Sequence, residues 1–241
     1  MAEGAPTPDW AGTGKRPFPP AVLFDLDGTL LDSAPDMLAT VNRMRAARGI
    51  APMALAELRP HVSKGARAMT AAAFPEWDLA ARDAHVPEFL ALYQEEMGRH
   101  GVLFDGVAEL LAAFEATGTA WGIVTNKPEY LARAILPQFG WEGRCAVLIG
   151  GDPLAERKPH PLPLQVAAER IGRAAGECTY VGDDERDIQA GRAAGMATVA
   201  ALWGYRLAGD RPLDWGADAL VERPRDLLVP GCWPGVASRT T

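Results

Sequence analysis

The sequence predicts an α/β fold: a parallel sheet flanked by helices and interrupted once by an all-helical insert. Three observations carry that expectation. Short apolar runs alternate with amphipathic stretches along most of the chain, and four of those runs deliver polar residues at their carboxyl ends. One long segment, 33–100, contains no convincing run of that kind. Alternation of this sort is the pattern of βα units built around a parallel sheet.

Taken in order, residues 1–20 are rich in Ala, Gly, Pro and Thr and lack the apolar stretch of a secretory signal, so a flexible tail is expected there. The first run, Ala21–Phe24, leads directly into Asp25. Segment 33–100 is rich in Ala, Leu, Met, Arg and Glu. Helical spacing at Met37, Val41 and Met44, and again at Phe89, Leu92 and Tyr93, makes it a helical cap inserted after the first strand. Alternation then resumes with a helix at 107–117 and a strand at Ala120–Val124 ending on Thr125. A helix at 129–139 and a strand at 146–149 follow, the latter ending on Gly150-Gly151-Asp152. Next come a helix at 161–171, a strand at 179–181 ending on Gly182-Asp183, a helix at 186–194 and a last buried run at 197–202. The Rossmann-like core is therefore expected over 21–32 and 101–229, with a second tail over 230–241. Ligands of open parallel sheets bind beyond the carboxyl ends of the strands. Asp25, Thr125 and Asp183, remote in sequence, should converge there.

Composition bounds the partners. Of 241 residues 48% are hydrophobic and 23% charged, enough to bury a sizeable core. The net charge is −7 and there is no basic block, which argues against a nucleic-acid or anionic-membrane surface. No apolar run approaches the roughly 18 residues of a membrane span, and a cytoplasmic protein is expected, monomeric or homodimeric. Cys145, Cys178 and Cys232 are far apart and without CxxC spacing, so they are expected as buried thiols, not as a disulfide or zinc site.

The chemistry starts at Asp25-Leu26-Asp27-Gly28-Thr29. Two carboxylates two positions apart after an apolar strand repel one another unless a cation or a proton offsets them. An Asp-Gly hairpin turn would need a partner strand, and a helix-like segment follows instead. Read chemically, Asp25 is a carboxylate nucleophile toward phosphorus. Asp27 protonates the leaving alcohol and then activates water, and Gly28 lets the backbone approach a phosphate oxygen. Thr125, at a strand end before a helix start, suits a phosphate oxygen through its hydroxyl and the free amides around it, with Asn126 assisting; a plain helix cap is the other reading. In Arg157-Lys158-Pro159, the proline holds Lys158 extended, which makes Lys158 the better candidate than Arg157. His160 either touches substrate or is an ordinary loop histidine. Carboxylates in Gly182-Asp183-Asp184-Glu185-Arg186-Asp187 suit a hard divalent cation of the magnesium type, while Asp184 and Glu185 also fit a helix N-terminus.

In order and spacing these four motifs resemble those of the haloacid dehalogenase superfamily, over about residues 21–229. The resemblance implies a magnesium ion held by the Asp25 side chain, the Asp27 carbonyl, Asp183 and, directly or through water, Asp187. It implies that Thr125 donates to the phosphate and that Lys158 neutralises the nucleophile and the transferring phosphoryl group. Asp25 and Thr125 stand 100 positions apart and Thr125 and Lys158 only 33, which leaves room for one cap after the first motif and none after the second.

Such caps exclude water and read the leaving group. Within this one, Val62–Met69 carries Lys64 and Arg67 around Gly65 and is the segment expected to meet an anionic substrate group, a solvated helix start being the alternative. The cap resembles that of bacterial phosphoglycolate phosphatases. Gly65-Ala66-Arg67-Ala68-Met69, Trp121-Gly122, Gly182-Asp183-Asp184, Gly204-Tyr205 and Trp215-Gly216-Ala217-Asp218 resemble more closely a branch acting on N-acetylmuramic acid 6-phosphate. Trp203, Tyr205 and Trp215 are expected in the core. The expected activity is magnesium-dependent hydrolysis of a small carboxylated phosphate ester through an aspartyl-phosphate. The alternatives are a phosphatase of other sugar phosphates and a phosphomutase, which usually has an acidic residue in place of Gly182 and lacks Asp187. A dehalogenase would not need Asp27.

Overall fold

A computed structural model describes residues 17–234. Strand β1 (Ala21–Phe24) is fully buried; β2 (Leu31–Asp32) follows a tight turn. Then come α1 (Ala34–Ala46), α2 (Leu55–Leu58), a 3₁₀ segment (Arg59–Lys64), α3 (Ala66–Ala73) and α4 (Leu79–Glu96). The chain returns through β3 (Val102–Leu103), which pairs antiparallel with β2 and so closes the base of the insert. The remainder alternates: α5 (Val107–Thr117), β4 (Ala120–Val124), α6 (Glu129–Ile135), β5 (Leu148–Ile149), α7 (Leu162–Arg170), β6 (Cys178–Gly182), α8 (Glu185–Ala193), β7 (Ala197–Ala201) and β8 (Ala219–Val221).

Six strands form one parallel sheet in the order β5-β4-β1-β6-β7-β8. The expectation of an α/β, Rossmann-like parallel-sheet core with an inserted helical cap is met. With β1 between β4 and β6, the residues leaving these three strands are neighbours. Two of them extend the ladder by one rung: Asp25 N donates to Val181 O at 2.9 Å and Thr125 N to Ile149 O at 3.0 Å. The site residues are thus held by sheet hydrogen bonds, not by loop conformation alone.

The insert packs as its sequence spacing implies. Met37, Val41 and Met44 on α1 and Phe89 and Tyr93 on α4 are all buried in one cluster, continuous with the sheet's own core. Burying each such side chain contributes on the order of 2 kcal/mol. Among the described residues no helix is long and apolar enough to cross a membrane.

Several expectations need correction. The expected tails take part in packing: residues 1–16 and 235–241 lie outside the described residues, but Pro17, Phe18, Pro19 and Trp233 are buried. Phe18 is edge-on to Phe114 at 5.0 Å, and Trp233 lies 5.7 Å from the same ring and donates from Nε1 to Leu227 O at 2.8 Å. Phe18 and Trp233 also meet each other edge-on at 6.3 Å, so one three-ring cluster ties the two ends together, a long-range effect that Pro- and Gly-rich composition conceals. Helix 129–139 is cut at Ile135, continuing as a 3₁₀ turn through Pro137, which cannot donate to an α-helical ladder. Strands β2, β3 and β8 are too short to show periodicity in sequence.

Candidate active site

Asp25, Thr125 and Asp183 do converge at the carboxyl ends of β1, β4 and β6; Asp25 and Thr125 line a cavity of about 390 Å³ between sheet and insert, and Asp183 lies buried beside Asp25. Asp25 is anchored through Oδ1, which accepts from Leu26 N at 2.8 Å and lies 3.0 Å from Lys158 Nζ. Its Oδ2 has no hydrogen-bond partner among the described residues. That leaves one oxygen held and one open, the arrangement a carboxylate nucleophile needs. Asp27 accepts from Ser33 Oγ at 2.6 Å and takes Lys127 Nζ at 3.0 Å on both oxygens.

Lys158 is buried, with its ammonium 3.0 Å from Asp25 Oδ1, 2.7 Å from Asp187 Oδ1 and 2.8 Å from Tyr180 Oη. Burial alone would make it easier to deprotonate, but the Asp187 and Asp25 carboxylates outweigh that and raise its pKa, so it stays an ammonium. Tyr180 in turn donates to Val124 O at 2.6 Å, fixing the lysine's height above the sheet. Arg157, the neighbour set aside on sequence grounds, is exposed.

Asn126 has a contact that the sequence did not show. Its amide clamps the Lys158 backbone, donating to the carbonyl at 2.9 Å and accepting from the N–H at 3.1 Å. Each polar end is thereby engaged once, so the residue positions Lys158 while it lines the cavity beside Thr125. The Thr125 hydroxyl accepts from Lys127 N at 3.3 Å, which leaves its own proton free to donate into the cavity.

Beyond β6, Asp183 is fully buried. It accepts from Thr29 Oγ1 at 3.1 Å, Ser63 Oγ at 2.7 Å and Tyr205 N at 2.8 Å. Burial, then the Asp25 and Asp187 charges, push its carboxyl well above the usual range against those hydrogen bonds. Asp187 is raised as well, by burial first, with Lys158 opposing and Asp25 reinforcing. Asp184 differs: burial works against it, yet Arg186 and then Lys64 bring it down to about 2. It N-caps α8, accepting from Arg186 N at 3.0 Å, while Asp187 Oδ2 takes the Asp184 N–H at 3.0 Å. The structural role expected of Asp184 is the one it has.

Asp25, Asp183 and Asp187 are all buried and each offers a carboxylate oxygen within 4.8 Å of the others. An all-oxygen donor set whose negative charge Lys158 offsets only in part fits a hard divalent cation. Gly28 belongs to this cluster for a reason the sequence did not show. A Cβ on it would lie 2.3 Å from Asp183 Oδ2, so the close approach it permits is that of a carboxylate. At Gly182 a Cβ would fall 2.3 Å from Asp187 Oδ2, which leaves no room for the acidic residue a phosphomutase usually carries there.

The cap residues are less free than expected. Lys64 pairs with Asp184 at 2.9 Å and Asp210 at 3.1 Å, and Arg67, with a largely exposed side chain, pairs with Asp83 at 2.6 Å. Both still line the cavity, to which the insert also presents the apolar side chains of Met37, Val62, Met69, Phe89 and Leu90. Tyr205 and Trp215 are buried, and Trp203 packs partly buried against the core, donating from Nε1 to Thr29 O at 2.9 Å. His160 accepts from Leu162 N at 3.2 Å and does not line the cavity. Cys145, Cys178 and Cys232 are free thiols. Sequence reading assigned nothing to Lys127, Tyr180 or Ser63. Nothing in sequence separates a buried lysine from a surface one; the position of Lys127 two residues after Thr125 was the available hint.

Comparison with known proteins shows the family. A family model described as haloacid dehalogenase-like hydrolase matches residues 22–201. The chain is 68% identical over 217 residues to a phosphoglycolate phosphatase of Xanthomonas campestris pv. campestris (strain 8004), covering 90% of this chain and 98% of that protein. It is 45% identical over 209 residues to the N-acetylmuramic acid 6-phosphate phosphatase of Pseudomonas aeruginosa, covering 86% and 92%. The crystal structure of a predicted phosphoglycolate phosphatase from Haemophilus somnus 129pt superposes with a TM-score of 0.76 at 27% identity, covering 86% and 96%.

Proposed function

This chain belongs to the haloacid dehalogenase-like hydrolase family, and from that premise we propose that it hydrolyses phosphate monoesters through a phosphorylated Asp25. The observation that carries the reading is the Asp25–Lys158 contact of 3.0 Å in the same cavity as Asp27 and Thr125. The open Oδ2 of Asp25 attacks phosphorus in line with the ester oxygen. Lys158 and the Thr125 hydroxyl meet the phosphoryl oxygens, offsetting the repulsion between two anions. As the P–O bond breaks, Asp27 passes its proton to the leaving oxygen; it then takes a proton from the water that attacks the acyl phosphate. Asp25, Asp183, Asp187 and the Asp27 carbonyl are the groups that would hold Mg2+, which when bound supplies positive charge to the phosphoryl group and the carboxylates.

For substrate we propose a small carboxylated phosphate ester, 2-phosphoglycolate or N-acetylmuramic acid 6-phosphate, the two activities named among its relatives. A cavity of about 390 Å³ with an apolar wall has room for more than a two-carbon acid, which favours the sugar.

Phosphate release from both compounds and from generic hexose phosphates, with and without EDTA and in Asp25→Asn, tests the reading. Activity should vanish on chelation and fall by about 10³ or more in Asp25→Asn. Turnover that survives both removes the mechanism. Equal kcat/KM on generic hexose phosphates removes the substrate class and leaves the mechanism standing.

A further inference from the structure

Lys127 follows Thr125 and Asn126 in the loop after β4, and its side chain is only 3% exposed. Its ammonium contacts both oxygens of Asp27 at 3.0 Å and the phenol oxygen of Tyr93 at 2.6 Å, and it sits 4.2 Å from the Tyr93 ring centroid. An ammonium has three protons and no lone pair, so these acceptors account for all of its donors. It is not a spare cation waiting for substrate.

What the contacts join matters more. Tyr93 lies on α4, the last helix of the insert, and Asp27 is also held at 2.6 Å by Ser33, the residue immediately before α1. The Asp27 carboxylate is therefore gripped at the mouth of the insert by Ser33 and, through Lys127, connected to the helix that ends it. Tyr93 is buried, and desolvation first, with the Asp27 and Asp36 charges, holds its phenol far above the usual pKa, so Lys127 meets a neutral oxygen. Charge-assisted hydrogen bonds of this length are directional and among the stronger ones in proteins. General acid catalysis depends on such alignment, because misplacing a reacting group by about 1 Å costs about 100-fold in rate.

On the reading in which Asp27 is the acid and base, we infer that Lys127 is a positioning residue that aims the Asp27 carboxyl at the ester oxygen, and that Tyr93 makes this aim depend on the insert lying over the core. Lys127 keeps its protons throughout. The proton that leaves with the alcohol comes from Asp27, and the one Asp27 regains comes from the attacking water. When the insert lifts, Lys127 loses the Tyr93 oxygen and a buried ammonium must recruit another acceptor, which draws it off Asp27.

The test compares leaving groups in the full chain with saturating Mg2+. An alkyl phosphate, whichever of the two carboxylated esters is turned over faster, needs its leaving oxygen protonated; p-nitrophenyl phosphate does not. Because kcat/KM stops at release of the alcohol, it isolates the step in which Asp27 is an acid. Lys127→Met should lower kcat/KM about 100-fold on the alkyl ester, mainly through kcat, and less than about fivefold on p-nitrophenyl phosphate. Asp27→Asn should show the same selectivity, and adding Lys127→Met to it should cost less than about threefold more. Tyr93→Phe, which keeps the Lys127–Asp27 pair, should lose about tenfold on the alkyl ester alone. Equal losses on both substrates, or none, in Lys127→Met overturn the positioning role, and a Tyr93→Phe enzyme identical to wild type overturns its dependence on the insert. Should Lys127→Met not fold, the double variant, which leaves no unpaired carboxylate, and Tyr93→Phe carry the same decision. An Asp27→Asn enzyme with wild-type kcat/KM on the alkyl ester would instead remove the acid–base reading on which this one stands.

Discussion

Gly28 and Asp183 occupy adjoining space that admits no additional atom: a Cβ on Gly28 would sit 2.3 Å from one Asp183 oxygen and 2.7 Å from the other. Gly28 also has a backbone φ of +89°, where side chains are strained. Gly28→Ala therefore meets two penalties at once. A loss of about 1–3 kcal/mol in stability is expected by denaturant unfolding, together with a raised Mg2+ requirement for activity. An alanine enzyme with unchanged midpoint and unchanged Mg2+ titration would contradict the packing.

Of three clustered buried carboxylates only Asp25 and Asp187 touch the Lys158 ammonium, and burial and mutual repulsion raise both Asp183 and Asp187. A cation that relieves this repulsion binds the folded state and not the unfolded one. At about 100 times its Kd it should add roughly 2.7 kcal/mol, on the order of 5–10 °C in Tm for a chain of this size. Differential scanning at neutral pH with Mg2+ or EDTA checks this. Asp183→Asn should shrink the shift, and an unmoved Tm at activating Mg2+ would count against the site.

Tyr180 holds Lys158 from below, with 2.8 Å to the ammonium and 2.6 Å onward to the Val124 carbonyl. Removing that oxygen in Tyr180→Phe leaves an ammonium proton and a carbonyl short of a partner. About 1–3 kcal/mol of stability and a fall of roughly tenfold in kcat are expected, with KM less affected. The kcat/KM split distinguishes misplacement of Lys158 from simple loss of fold.

Trp233 and Phe18 close over Phe114 from opposite ends of the described chain. Trp233→Ala should cost about 3–5 kcal/mol in chemical denaturation while leaving kcat on the folded enzyme near wild type, because the cluster is remote from the cavity. A variant with unaltered unfolding would mean the carboxyl-terminal segment is a tail after all.

The parts of this molecule that could be read without coordinates share a physical character. Strand ends followed by charged residues, helical spacing at Met37, Val41 and Met44, and the order Asp25, Thr125, Lys158, Asp183 are local signals. Each depends on what a few consecutive residues can do alone. Lys127, Ser63, Tyr180 and the true partners of Asn126 and Lys64 were hidden because their identity is ordinary and only their surroundings are not. A lysine on the surface and a lysine joining Asp27 to Tyr93 are the same letter.

Asp25-x-Asp27 and the three later motifs were enough to predict a parallel sheet and to propose the chemistry, since the nucleophile, acid and metal-binding carboxylates proposed here are read from side-chain type and strand position. Packing decided the rest: which oxygen of Asp25 stays open, why Gly28 has no side chain, and how the insert reaches Asp27. Those outcomes depend on contacts between segments as far apart as Ser63 and Asp183, 2.7 Å from oxygen to oxygen. No local pattern encodes a distance of that kind, because it is set only when both segments are buried against the same core.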